Sequence, residues 1–359
     1  MKLKNPILLC LTINRIFPLD KILLILYVFY SFITKNYKLS PVSQNLLKIL
    51  WGGVSFSFII NIFNANFSIF YPLIFLTGAL MLANEKGIEL ENIRKVIFIN
   101  ILFGLLAVAF ALLGFENEYS FSLREKALPF LYAPYGMSPT LQVYGTFCNL
   151  YILLSFEMRK QDMSLFLSIL AVLITFNRCS LLFFLLLLCL YKTRVFKILL
   201  SVLLAIIIYF WDVIRVIFFS TTTLDSRSEL REPARISFWN SSDWSVYLFG
   251  RGSTEVADNI ANQTYYSHTY IENGLDFILH SYGFIGLFIY LLMIIVFVRY
   301  LIKSSKYKLI FIVLYYFLFE QMLTHEFLAS SVFFFILINL LLTKNNSQNV
   351  IYKYSNSNL

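Results

Sequence analysis

Four ionisable residues, His268, Glu272, Asp276 and His280, follow one another at intervals of four. On a helix that spacing forms one slowly drifting stripe, about 18 Å long at ~1.5 Å per residue. The stripe opens an apolar run, and ionisable groups at a membrane boundary are costly enough to read as functional. A histidine there can accept a proton near neutral pH. The preferred chemistry is a general base for a hydroxyl nucleophile, a histidine whose ring a neighbouring carboxylate orients. Two other readings stay open. One is a divalent metal site, although four ligands along one helix cannot converge on a single ion, and no metal is assigned. The other is a solvated helix entrance.

The elements that must hold these residues are set by composition. Of 359 residues, 59% are hydrophobic and only 14% charged, against roughly 45–50% and about 25% in soluble domains. That excludes an aqueous domain, a disordered chain and a fibrous repeat. The apolar runs are continuous, unlike the ~10-residue alternation of a membrane β-barrel. The expected fold is therefore an all-α polytopic membrane protein. A crossing takes ~20 apolar residues. Runs near 46–63, 67–83, 96–114, 140–156, 198–211, 277–298, 309–324 and 327–342 qualify. Residues 163–191 and 6–34 each hold two shorter runs, broken at Asn177-Arg178 and around Arg15 and Pro18 to Lys21. Read as helical pairs, they bring the count to twelve, or eleven if 6–34 is a single helix. The expected organisation is membrane helices over 1–211, a large outer loop over 212–276, further helices over 277–343 and a tail over 344–359.

Charge sets the orientation. The loops on the N-terminal side carry 19 of the 29 Lys and Arg and only 5 of the 20 acids, so that side is cytoplasmic by the positive-inside rule. The formal charge of +9 then reflects topology, and no nucleic-acid partner is expected. Eight arginines nevertheless fall on the outer side: Arg15, Arg124, Arg178, Arg215, Arg227, Arg231, Arg235 and Arg251. A guanidinium is a planar fork matched to phosphate or carboxylate. At least two of these are expected to bind an anion; the alternative for any one is pairing with the outer acids. The 212–276 loop also holds Trp239, Trp244, Tyr247, Tyr265, Tyr266 and Tyr270, too aromatic for a disordered linker. It is expected to pack on the membrane domain and to stack rings such as Trp244 on sugars. There is no P-loop, GxGxxG, GxSxG, HExxH or DxD. The four cysteines, Cys10, Cys148, Cys179 and Cys189, lack the spacing of a disulfide framework or thiol metal site.

Three segments carry a resemblance. They are Thr175-Phe-Asn-Arg178-Cys-Ser-Leu-Leu182; Ser226-Arg227-Ser-Glu-Leu230 with Leu248-Phe-Gly250-Arg-Gly252; and Ser267-His268-Thr-Tyr-Ile with Tyr282-Gly283-Phe-Ile-Gly286-Leu. In order and membrane side they resemble the bacterial O-antigen polymerases (Wzy) and the related O-antigen ligases. Asn177, Thr269 and His280 depart from residues common in those proteins, more from the ligases than from the polymerases. The resemblance implies a metal-independent, cofactor-free membrane glycosyltransferase at the periplasmic face of the bacterial inner membrane. An undecaprenyl-diphosphate-linked oligosaccharide would be donor and acceptor, and a chain-length regulator is the protein partner it admits. Arg178 and Arg227 would hold the diphosphate and His268 would act as base, these three being the catalytic set. Arg251, Arg231, Arg235, Glu272, His280 and Trp244 would bind substrate. The alternatives are an O-antigen ligase joining glycan to a lipid core and, in another class, a flippase for lipid-linked sugars.

Overall fold

A computed structural model of the chain describes residues 4–12, 19–34, 39–63, 70–85, 88–115, 117–123, 130–209, 211, 239, 243–250, 273–323 and 330–355. The apolar runs are helices: α1 (Lys4–Thr12), α2 (Leu19–Thr34), α3 (Pro41–Phe63), α4 (Phe70–Ala83), α5 (Leu90–Leu112), α6 (Leu141–Glu157), α7 (Met163–Ile174), α8 (Arg178–Tyr191) and α9 (Thr193–Tyr209). A short α10 (Trp244–Phe249) precedes α11 (Gly274–Lys303). Then α12 (Tyr307–Leu314) runs on as a π-helical turn (Tyr315–Glu320) and a last turn (Gln321–Leu323), and α13 is Ser330–Ser355. Runs 6–34 and 163–191 are each two helices. Part of the expected tail is helical, since α13 continues to Ser355.

Among the described residues, the departure from an all-helical chain is a small antiparallel hairpin, β1 (Ser120–Ser122) with β2 (Tyr132–Pro134), registered by Phe121 opposite Ala133. It lies in the 115–139 connection and packs on the later half of α5. Tyr119 meets Phe103 edge-on at 4.9 Å, and Asn117 Nδ2 donates to the Ala107 carbonyl at 2.9 Å. Gly136, at φ 57°, sits so close to α5 that a Cβ would fall 2.6 Å from Asn100 Oδ1. Asn100 is fully buried and bonds the Met137 amide (2.8 Å), Ser138 Oγ (2.9 Å) and the Thr12 carbonyl (3.1 Å). One asparagine thus ties the end of α1 and this connection to the middle of α5.

Helix ends gather in one polar layer. The Ser40 amide donates to Asn84 Oδ1 at 2.8 Å, and Asn339 Nδ2 donates to Ser43 Oγ. Arg94 pairs with Asp162, and Lys160 with Glu91 at 2.6 Å. Tyr191 donates to Glu157, Lys308 Nζ lies 4.8 Å from the Tyr191 ring centroid, and Lys306 reaches the Leu341 carbonyl. The basic connections near 40, 90, 160, 192 and 305 therefore share one end of the bundle.

Two helices, Leu90–Leu112 and Gly274–Lys303, are long and apolar enough to cross a membrane. Their outward faces are apolar as well as their inward ones. On α5, Ile99, Leu102, Leu106 and Phe110 recur at helical spacing and are exposed, while Ile97, Ile101, Gly104 and Val108 face the core. On α11, Phe284, Phe288, Leu291 and Ile295 form a similar exposed stripe. A soluble monomer does not present contiguous apolar stripes of this kind without a partner; a lipid tail is a partner.

Candidate functional site

The α7–α8 turn begins at Thr175, the C-cap of α7. Thr175 Oγ1 donates to the Val172 carbonyl at 2.7 Å, and Phe176 turns the chain at φ 47°. Asn177 has extended backbone, and its Oδ1 accepts the Ser180 amide at 3.1 Å, capping α8. Asparagine is among the best N-caps, which accounts for its place before Arg178. Arg178 is the first residue of α8 and is exposed. The positive dipole end of a 14-residue helix thus coincides with a guanidinium, a combination that favours an anion.

Both helices fold back along α6. The Ser180 carbonyl accepts Asn149 Nδ2 at 2.8 Å, at the middle of α6. At the end of α6, the Tyr191 ring packs tilted against Phe156 with centroids 5.5 Å apart. Gly145 makes the close approach possible, since a Cβ there would lie 2.0 Å from Ser180 Oγ. With 12 and 14 residues, α7 and α8 reach about 18 and 21 Å, short of a ~30 Å hydrocarbon layer. Their turn is accordingly set well in from the far side of a bilayer that the polar layer borders.

The π-helical turn closes on the same region. Tyr315 donates to the Cys179 carbonyl at 3.1 Å, anchoring that turn to the start of α8. Its last residue, Glu320, is fully buried, and its Oε1 accepts Thr146 Oγ1 at 2.9 Å. Thr146 and Asn149, three residues apart on α6, hold Glu320 and the α8 entrance side by side. Gln321 is also buried. The sequence signal for Glu320 is a lone acid in the apolar 309–324 run, which belongs to no short motif. Such an acid is functional by default inside a membrane, and π turns recur at functional sites.

The third part is the kink of α11. Gly283 breaks the helix at φ 64°, ψ −166°, and α10 crosses there. A Cβ on Gly283 would fall 2.4 Å from the Leu248 carbonyl, and one on Gly250 (φ 77°) 2.4 Å from the Ser281 backbone. The two backbones touch through paired glycines, so the Leu248-to-Gly250 and Tyr282-to-Gly286 segments, far apart in sequence, form one contact. Asp243 caps α10 through the Ser245 amide at 2.8 Å. Trp239 packs on Phe284 at 5.9 Å and accepts the Tyr247 hydroxyl on its carbonyl at 2.8 Å.

His280 lies three residues before the kink and is 2% exposed; Trp244 opens α10 and is 67% exposed. His268, Glu272, Arg227, Arg231, Arg235 and Arg251 lie outside the described residues. The four-residue stripe is not one helix. Asn273 is extended and caps α11 through the Leu275 and Asp276 amides, so of the four only Asp276 and His280 share α11. Among the described residues no three His, Cys, Asp or Glu side chains are grouped to hold a metal.

At the opposite, polar end Asp162 fastens α5 to α7. Burial pulls its pKa up, but hydrogen bonds from Ser164, Arg94 and the Leu165 amide outweigh that and bring it down to about 2. Compared with known proteins, the chain matches no family model and no curated protein.

Proposed function

We propose that the chain is an O-antigen or related surface-polysaccharide polymerase. In this reading it is a twelve-span protein of the bacterial inner membrane, with the polar layer of helix ends facing the cytoplasm and the 212–276 segment facing the periplasm. It transfers a growing glycan from undecaprenyl diphosphate to the terminal sugar of a lipid-linked repeat unit. The observation that carries this reading is the α8 entrance: a fixed cation on a helix N-terminus, recessed in an apolar bundle and opposite the basic end.

The chemistry asks for little more. An acceptor hydroxyl oxygen bonds to the donor's anomeric carbon, the carbon–oxygen bond to diphosphate breaks, and the hydroxyl proton passes to His268. The leaving diphosphate gains negative charge, which Arg178, the α8 amides and Arg227 stabilise as it develops. Glu272 orients the base. Arg231, Arg235 and Arg251 hold acidic or phosphorylated parts of the glycan, and Trp244, His280 and neighbouring rings hold sugars.

Arg178→Ala should remove at least about tenfold of the polymer while leaving the protein in the membrane, and Arg178→Lys should recover little, because a point charge does not replace a bidentate fork. The assay is chain length on a gel, from purified protein and lipid-linked repeat unit with chelator present. Unchanged ladders from the alanine variant would sink the reading. In cells, loss of a polymerase leaves single repeats on the surface; unattached polymer left on its lipid carrier would identify a ligase instead.

A further inference from the structure

On the polar end, α3 and α11 flank a cleft lined by Asn45, Val296, Arg299, Tyr300 and Lys303, with a volume of about 170 Å³. That is smaller than the pocket of a drug-sized ligand and suits a small anionic group. Arg299 and Lys303 stand one turn apart on the same face of α11, and among the described residues no acid lines the cleft. Among the described residues neither cation is in an ion pair. The Tyr300 hydroxyl accepts Asn45 Nδ2 at 2.8 Å, which leaves its own proton to donate. Lys48, three residues after Asn45 on α3, is exposed. The lining is thus rich in donors for an anion with several oxygens.

The surroundings are those of a lipid. Inward from Arg299, Ile295 and Phe288 are 59% and 62% exposed. On α3, Trp51 is exposed and Gly52 has open space where a side chain would stand. Deeper still the two helices close, a Cβ on Gly53 meeting Ile289 at 2.3 Å. We propose that this cleft binds the phosphate headgroup of an anionic phospholipid from the cytoplasmic leaflet, with its acyl chains along the exposed faces of α3 and α11. Basic pockets between membrane helices on that side bind such headgroups. The inference rests on the membrane reading and orientation above, and not on the polymerase activity.

The test is native mass spectrometry of the protein released from bilayers containing equal phosphatidylglycerol and phosphatidylcholine. Wild type should retain phosphatidylglycerol over phosphatidylcholine. R299Q/K303Q should lose about fivefold of that preference per cation removed, while R299K/K303R keeps it. R194Q/K197Q, with the same charge change at the exposed start of α9, should behave as wild type. Equal retention by wild type and R299Q/K303Q, or equal loss in the control, overturns the proposal, as does displacement of the lipid by millimolar inorganic phosphate. A carbonate wash separates the two levels. Protein stripped from the bilayer refutes the membrane reading itself; protein that stays but shows no lipid preference refutes only this site.

Discussion

Glu320 shows what one residue can carry in an apolar bundle. Its carboxyl is buried at the end of a π turn, and it accepts the Thr146 hydroxyl. Removing a buried acceptor strands the donor, at about 1–3 kcal/mol. Glu320→Ala should therefore lower the unfolding temperature in detergent, while Glu320→Gln, which keeps the acceptor oxygen, should unfold close to wild type. If the ionisable group serves the proposed reaction, the glutamine variant should still lose about a hundredfold or more in polymer, as a lost general acid–base contribution does. Full polymer from a stable Glu320→Gln would make Glu320 a structural residue. Arg178 is the complementary case: its identity and its break were legible as Asn177-Arg178, but its seat on the N-terminus of α8 depends on Asn177 acting as the cap.

Among the elements, the kinked α11 and the short α10 depend on each other. Gly283 occupies backbone that is essentially glycine-only, at φ 64° and ψ −166°, where other residues cost about 1–3 kcal/mol. A methyl there would also strike the Leu248 carbonyl. Gly283→Ala should lower stability by about 2 kcal/mol or more and expose residues 243–250 to limited proteolysis; protection equal to wild type would refute the crossing. At the other end, Asp162 caps α7 and pairs with Arg94 of α5. Its carboxyl is depressed to about 2, below the ordinary ~3.9. The stabilisation is thus present above pH ~4 and lost as pH falls through about 2. Asp162→Asn should be less stable than wild type at neutral pH, and the gap should narrow across that acid window. A constant gap from pH 7 to 2 would assign Asp162 a capping role without the charge.

At the scale of the molecule, the polar layer and the recessed α7–α8 turn lie at opposite ends of α6. The proposed orientation follows from the 19 basic residues on the side of that layer. Reporter fusions active only in the cytoplasm should be silent after Ser241 and active after Lys344. The reverse pattern would invert the assignment, and with it the proposed sites for diphosphate and for anionic lipid.

Hydropathy by itself located the long apolar helices and the broken pair at 163–191, because burying or lipid-facing a helix demands runs of apolar residues; whether 6–34 held one helix or two was left to the structure, which shows two. Hydropathy also marked Arg178, since an arginine inside an apolar run stands out by type. The 115–139 hairpin was not legible: three-residue strands leave no alternating pattern, and their register is set by packing on α5. The joining of Leu248–Gly250 to Tyr282–Gly286 was equally hidden, because two short glycine motifs say nothing about which backbone each will touch. Glu320 could be seen but not weighed until Thr146 was found beside it. The stripe from His268 to His280 fails as one face for a local reason: spacing of four implies one face only if the helix is continuous, and Asn273, the extended N-cap where α11 begins, lies between Glu272 and Asp276. Composition decides what must be buried or face lipid; only the tertiary structure decides which polar groups meet once it is.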